Sequence, residues 1–136
     1  MVKLTENMKT DLKKVRMIPF ATATASGEPN VVPIAVYRLM PDDETFWVID
    51  NFMKKTLENV KNNPRVSFYL WTPDTSGAYQ MKGTITEVVN TGPEFEEAKL
   101  FAGTIIPGLP TKGLLKMKIT DVYSVSPGPT AGEKLL

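Results

Sequence analysis

The chain has 136 residues, 42% of them hydrophobic and 23% charged, which is the size and make-up of one globular domain. It contains no His and no Cys, so it cannot by itself build a Ser-His-Asp triad, a cysteine nucleophile, a disulfide or a His- or Cys-ligated metal site. Sixteen basic against fifteen acidic residues leave a net charge of +1, which is not the footprint of a nucleic-acid binder or of a basic membrane-surface protein.

Leu4, Met8, Leu12 and Val15 recur at helical spacing with lysines between them and predict a short amphipathic helix. Residues 18–25 alternate apolar residues with Thr and predict a strand, closed by the turn cluster 26–30. Val31 to Met40 is almost continuously apolar and reads as one strand buried on both faces. A turn at 41–44 leads to a third strand over 45–50. Met53, Leu57 and Val60 then switch the period to that of a helix, which Asn62-Asn63-Pro64 ends. Strands follow over 65–71 and 78–89, with Gly83 marking a bulge or a barrel corner. Gly92-Pro93-Glu94 opens a second helix after the strands, and 103–113 reads as a loop. A last strand covers 114–125, and 126–136 is a Pro- and Gly-containing tail on what reads as a single domain over 1–136. About six strands joined by short turns favour an antiparallel sheet, and a closed or partly closed barrel hides their apolar faces most economically.

No apolar run approaches the ~18–20 residues of a membrane span. The stretch from Met1 to Arg16 is charged throughout and lacks a signal-peptide core. The expectation is a cytoplasmic protein with neither a membrane nor a nucleic acid as partner. Metal binding has no positive support, because no acidic calcium loop occurs. Chemistry must come from carboxylates, lysines, hydroxyls or a borrowed cofactor.

The segment from Ile49 to Thr56 runs from a strand end into a helix start. A helix N-terminus presents unpaired N–H groups and a partial positive charge, so lysines there are unfavourable unless an anion is held. Lys54, Lys55 and Thr56 together suit a phosphate. A solvated helix start with Asn51 as a plain N-cap explains the same residues. Pro33 stands inside an otherwise good central strand. It marks either an edge strand or a main chain turned toward a ligand. Trp47, Phe68, Tyr69, Trp71 and Tyr79 lie on strands, where aromatics are more often core or interface than a ring-stacking platform. Glu94, Glu96 and Glu97 complement a helix dipole rather than form an acid–base pair.

These pieces resemble, in order, the flavin-binding split-barrel superfamily, which includes pyridoxamine-phosphate oxidase and small FMN-binding proteins. Residues 21–34 match its strand–turn–strand. The run from Lys55-Thr56 through Asn59 to Asn63-Pro64-Arg65-Val66 resembles its phosphate-binding helix and next strand. Residues 79–84, 92–96 and 115–123 are similar to its later elements, the second of these to the small FMN-binding proteins in particular. The resemblance covers residues 5–125. It implies a mainly β, six-stranded antiparallel Greek-key split barrel, a homodimer, and FMN at the dimer interface. It places Lys55 and Thr56, with Lys54 beside them, on the phosphate. It places the main chain of Val32, Pro33 and Ile34 on the ring, Ile49, Asp50 and Asn51 along the ribityl chain and ring edge, and Gln80 near the partner subunit's contribution. The implied function is an electron carrier or a flavin reductase-like oxidoreductase of unknown redox partner. The only arginines are Arg16, Arg38 and Arg65, and the tail has neither Arg nor His, so true pyridoxamine-phosphate oxidation is not expected. Two alternatives stand. One is binding of the deazaflavin F420 along Lys54, Lys82 and Lys112. The other is a non-redox β-barrel binding module. The 103–113 loop is a candidate cover for the flavin or the dimer seam.

Overall fold

In the computed structural model, which describes residues 2–136, seven strands form one antiparallel sheet in the order β2-β1-β5-β6-β7-β4-β3. The elements are α1 (Glu6–Leu12), β1 (Ile18–Ala23), β2 (Pro29–Ile34), β3 (Tyr37–Leu39), β4 (Thr45–Asp50), α2 (Lys55–Asn62), β5 (Arg65–Leu70), β6 (Tyr79–Val89), α3 (Pro93–Ile105) and β7 (Gly113–Ser124). The antiparallel series β5-β6-β7 is flanked by β4 at its β7 side, which is the Greek-key order.

The strand count is seven rather than six because the apolar run 31–40 is broken at Ala35-Val36 into β2 and β3. The break closes the fold. β2 and β3 are the two outer strands of the sheet, yet Ile34 and Tyr37 are three residues apart and so within about 11 Å. The sheet therefore curls until its two edges nearly meet, and no ladder joins them: the barrel is split at this seam. Val36 keeps the chain in place by accepting the Ile49 amide at 3.2 Å.

Alternation along β4 divides the core. Phe46 and Val48 face the barrel interior, where the Phe46 ring stacks on Phe68 with centroids 4.5 Å apart. Trp47 and Ile49 face outward and are covered by Ala98 and Ala102 of α3. That cover explains why β4 is buried on both faces. Met8 and Leu12, with Leu4 before the helix and Val15 beyond its end, are buried as their spacing predicts. Gly83 sits at a register shift against β7, the bulge the sequence marks.

Two boundaries differ from expectation. α3 continues through Gly103 to Ile105, three residues into the predicted loop, since nothing there breaks the helix until Pro107. The tail does not hang free. Leu135 donates to Val122 at 2.8 Å and Ser124 to Glu133 at 2.8 Å, so residues 132–136 extend the β7 edge that β4 leaves uncovered. Among the described residues no helix is long and apolar enough to cross a membrane.

Candidate functional site

The free edge of β2 forms one wall of the site. Pro19 stands opposite Pro33 in the β1–β2 register. Neither has an N–H, so theirs is a non-hydrogen-bonded pair, and Val32 and Ile34 make the ladder bonds to β1. The main-chain groups of Val31 and Pro33 consequently point away from the sheet, whereas those of Val32 and Ile34, expected on the ring, are turned into the β1 ladder instead. The edge-strand reading of Pro33 holds: β2 is an outer strand, and its edge borders a cleft.

That cleft has a volume of about 620 Å³, within the range of small-molecule and cofactor sites. Val32, Pro33, Ile34, Ile49, Asn51, Lys54, Lys55 and Thr56 all line it. Asp50 and Gln80 do not.

The floor is the start of α2. The helix begins at Lys55, with Lys54 at the N-cap position and no side chain capping the first turn. Asn51 is not the cap, because its Oδ1 is occupied by the Thr111 hydroxyl at 2.7 Å. The first-turn N–H groups therefore lack a side-chain acceptor. Lys54 and Lys55 are exposed and take part in no ion pair among the described residues. Thr56 is buried, and its hydroxyl accepts from Asn30 Nδ2 at 3.2 Å, which leaves its own O–H to donate. Asn30 also reaches Thr22 Oγ1 at 3.1 Å, and Asn59 reaches the same oxygen at 3.0 Å. This polar network fastens α2 to β1 and β2.

Behind the wall, Asp50 is 1% exposed and its Oδ1 accepts the Met53 amide at 2.9 Å. Burial pushes its carboxyl above the ordinary carboxylate value, against the Met53 amide bond and the charges of Lys112 and Lys61. Lys112 donates its ammonium to the Met53 carbonyl at 2.5 Å, lies 3.8 Å from Asp50 Oδ1, and donates its amide to the Asp50 carbonyl at 2.9 Å. The segment that follows α3 thereby docks onto the turn before α2, and its Ile106 and Leu109 complete the cleft wall.

Asn30 escapes the sequence reading of the site, Ile106, Leu109 and Thr111 belong to the 103–113 segment that the sequence offers as a candidate cover, and Lys112 enters it only as a cation for a longer anionic tail. Lys112 is instead committed to Met53 and Asp50, and Lys82 lies over the Tyr123 ring at 5.3 Å, outside the cleft. Gln80 lines a separate groove with the exposed Tyr69 and Trp71. Trp47 and Phe68 are core. Glu94 pairs with Lys116 at 3.0 Å and Glu97 with Arg38 at 3.3 Å.

A seven-stranded split barrel with an uncapped helix start beside its open seam defines a class of protein. The sequence matches the pyridoxamine 5'-phosphate oxidase family over residues 4–126, and the chain belongs to that family. An uncharacterized protein of Methanocaldococcus jannaschii is 36% identical over 134 residues, which are 97% of this chain and 87% of that one. Among solved structures, Group A Streptococcus HupZ superposes with a TM-score of 0.79 at 27% identity, covering 95% of this chain and 99% of the other. An FMN-binding protein from Syntrophomonas wolfei gives 0.75 at 19% identity over 88% and 83% of the two chains. An F420 reductase gives 0.67 at 17% identity over 88% and 98%. The last two likenesses show the fold alone.

Proposed function

We propose that this protein binds FMN in the cleft beside β2 and serves as an electron carrier or a flavin reductase-like oxidoreductase, working as a homodimer. The observation that carries this reading is the convergence, on one cleft, of an uncapped helix start bearing two exposed lysines that form no ion pair among the described residues and a strand edge whose main-chain groups face outward. An FMN phosphate carries a charge of about −2 and needs N–H groups and cations. The first turn of α2, Lys54, Lys55 and the Thr56 hydroxyl supply them. The ring heteroatoms need hydrogen-bond partners, and the outward main chain of Val31 and Pro33 offers them. Ile34, Ile49 and Leu109 provide apolar wall. Bound flavin would supply the redox chemistry, so a chain without His or Cys is no obstacle.

Phe52 and Val31 stand 72% and 65% exposed at the cleft rim, and Tyr69 and Trp71 are exposed beside Gln80 on another face. Pairing these faces in a dimer would cover both and bring Gln80 of one subunit to the cleft of the other. Pyridoxamine-phosphate oxidation is disfavoured, because none of Arg16, Arg38 and Arg65 lines the cleft.

The test is an absorption spectrum of freshly purified protein, repeated after excess FMN and desalting. Retained yellow colour with stoichiometric FMN released on denaturation supports the reading. A protein that retains no FMN but binds F420 would transfer the site to the deazaflavin. One that binds neither would remove the redox reading altogether.

A further inference from the structure

The cleft's anion-receptive floor is not held by its own helix. Lys54 has φ −128° and ψ −80°, outside helical geometry, and no side chain caps α2. What fixes the preceding turn is the chain more than fifty residues later. Thr111 donates to Asn51 at 2.7 Å, and Lys112 donates to the Met53 carbonyl at 2.5 Å and to the Asp50 carbonyl at 2.9 Å. The Lys112 ammonium also faces the buried Asp50 carboxylate at 3.8 Å, and that carboxylate holds the Met53 amide. Asn51 and Met53, two of the three residues between Asp50 and Lys54, are thus bonded through side chain or main chain to this clamp.

We propose that Thr111 and Lys112 are positioning residues for phosphate recognition, holding the Asp50–Met53 turn so that Lys54, Lys55 and the first N–H groups of α2 converge on one anion. Neither residue needs to touch the ligand. Lys112 is absent from the cleft lining, and its ammonium is directed at the Met53 carbonyl and the Asp50 carboxylate. The clamp also ties the cleft's far wall to its floor, since Ile106 and Leu109 lie on the same segment. A ligand that uses the floor therefore meets a wall already in place, and the ordering cost of that wall is not charged to binding.

This inference rests on the flavin reading of the cleft, and its test separates the two. FMN and riboflavin, which differ only in the phosphate, are titrated against wild type, Lys112→Met, Lys112→Arg and Thr111→Val. The expected result is an FMN Kd about tenfold weaker in Lys112→Met, the scale of one charged hydrogen bond. Riboflavin should change less than about twofold on that same scale, and Lys112→Arg should recover FMN binding. Equal weakening of both ligands would reduce the clamp to a general structural role and overturn the proposal, as would no change in either. If wild type binds neither ligand, the flavin reading fails, and amide hydrogen exchange decides the clamp. Exchange at Met53 to Thr56 should accelerate in Lys112→Met and Thr111→Val while the β5–β6 core is unchanged. Unaltered exchange at those amides would overturn the positioning role whatever the ligand.

Discussion

Asn30 Nδ2 donates to Thr56 Oγ1 at 3.2 Å, so the edge strand β2 and the first turn of α2 share a hydrogen bond at the base of the cleft. The same amide reaches Thr22 Oγ1 at 3.1 Å. Asn30→Ala removes both bonds and is expected to lower stability by about 1–2 kcal/mol. Urea denaturation measures this, and an unchanged midpoint would mean the network carries no net energy.

Lys55→Met is expected to weaken FMN by ~1.5–3 kcal/mol, the worth of a hydrogen bond to a charged group, with riboflavin affinity nearly untouched. Lys54→Met and the double variant should be titrated beside it, because Lys54 is exposed at the same helix start. If the double variant still binds FMN at full strength, the phosphate does not sit here.

A second clamp sets a dependence on pH. Asp11 is 1% exposed, and burial alone would raise its carboxyl. The Ser76 hydroxyl, the Ser76 amide at 3.0 Å and Lys14 at 3.4 Å outweigh burial and hold it below its ordinary value of 3.8. A lowered folded value means the stabilisation is present above the ordinary carboxylate range and is lost as pH falls through the folded value. Asp11→Asn should therefore cost about 1–2 kcal/mol at neutral pH and progressively less in acid below 3.8. Asp50 works in the opposite sense. Its raised value means that burying the ionised carboxylate costs stability, a cost absent below the ordinary value and felt as pH rises through the folded one. Denaturation midpoints across the acid range for wild type and Asp11→Asn measure the first effect. A pH-independent difference would contradict it.

Gly83→Ala is expected to destabilise by about 1–3 kcal/mol or more, the range for overpacking. A Cβ at Gly83 would collide with the Lys118 carbonyl oxygen and meet Met117 Cε at 2.7 Å, and the first of these is backbone in the paired strand. Thermal unfolding reads the outcome, and a wild-type Tm would show that β6 and β7 can separate here at little cost.

The elements were largely legible because their signals are local. The strand over 45–50 and the helix signalled by the 53–57–60 spacing survive as β4 and α2, and Gly83 is the bulge its position in a long strand suggests. Local signals also misled. The apolar run 31–40 carries no turn signal at Ala35-Val36, yet the chain breaks there, because the sheet must curl back on itself. Asn51 has the chemistry of an N-cap, but Thr111 takes its oxygen and the helix starts four residues later. Asp50 stands within the segment read as the site and is turned away from the cleft to hold Met53.

Composition alone settled which chemistries are closed to this chain, and periodicity settled most of its strands and helices, since both depend on residues within a few positions of one another. Tertiary structure decided what those residues face. The Pro19–Pro33 pairing sets which main-chain groups β2 turns outward, sheet order puts that edge beside the start of α2, and residues 106–112 return to wall and clamp the cleft. Each of these joins partners ten to sixty positions apart. A contact of that kind leaves no period in the sequence, because it is fixed by strand register and by the closing of a curved sheet rather than by the preference of any one residue.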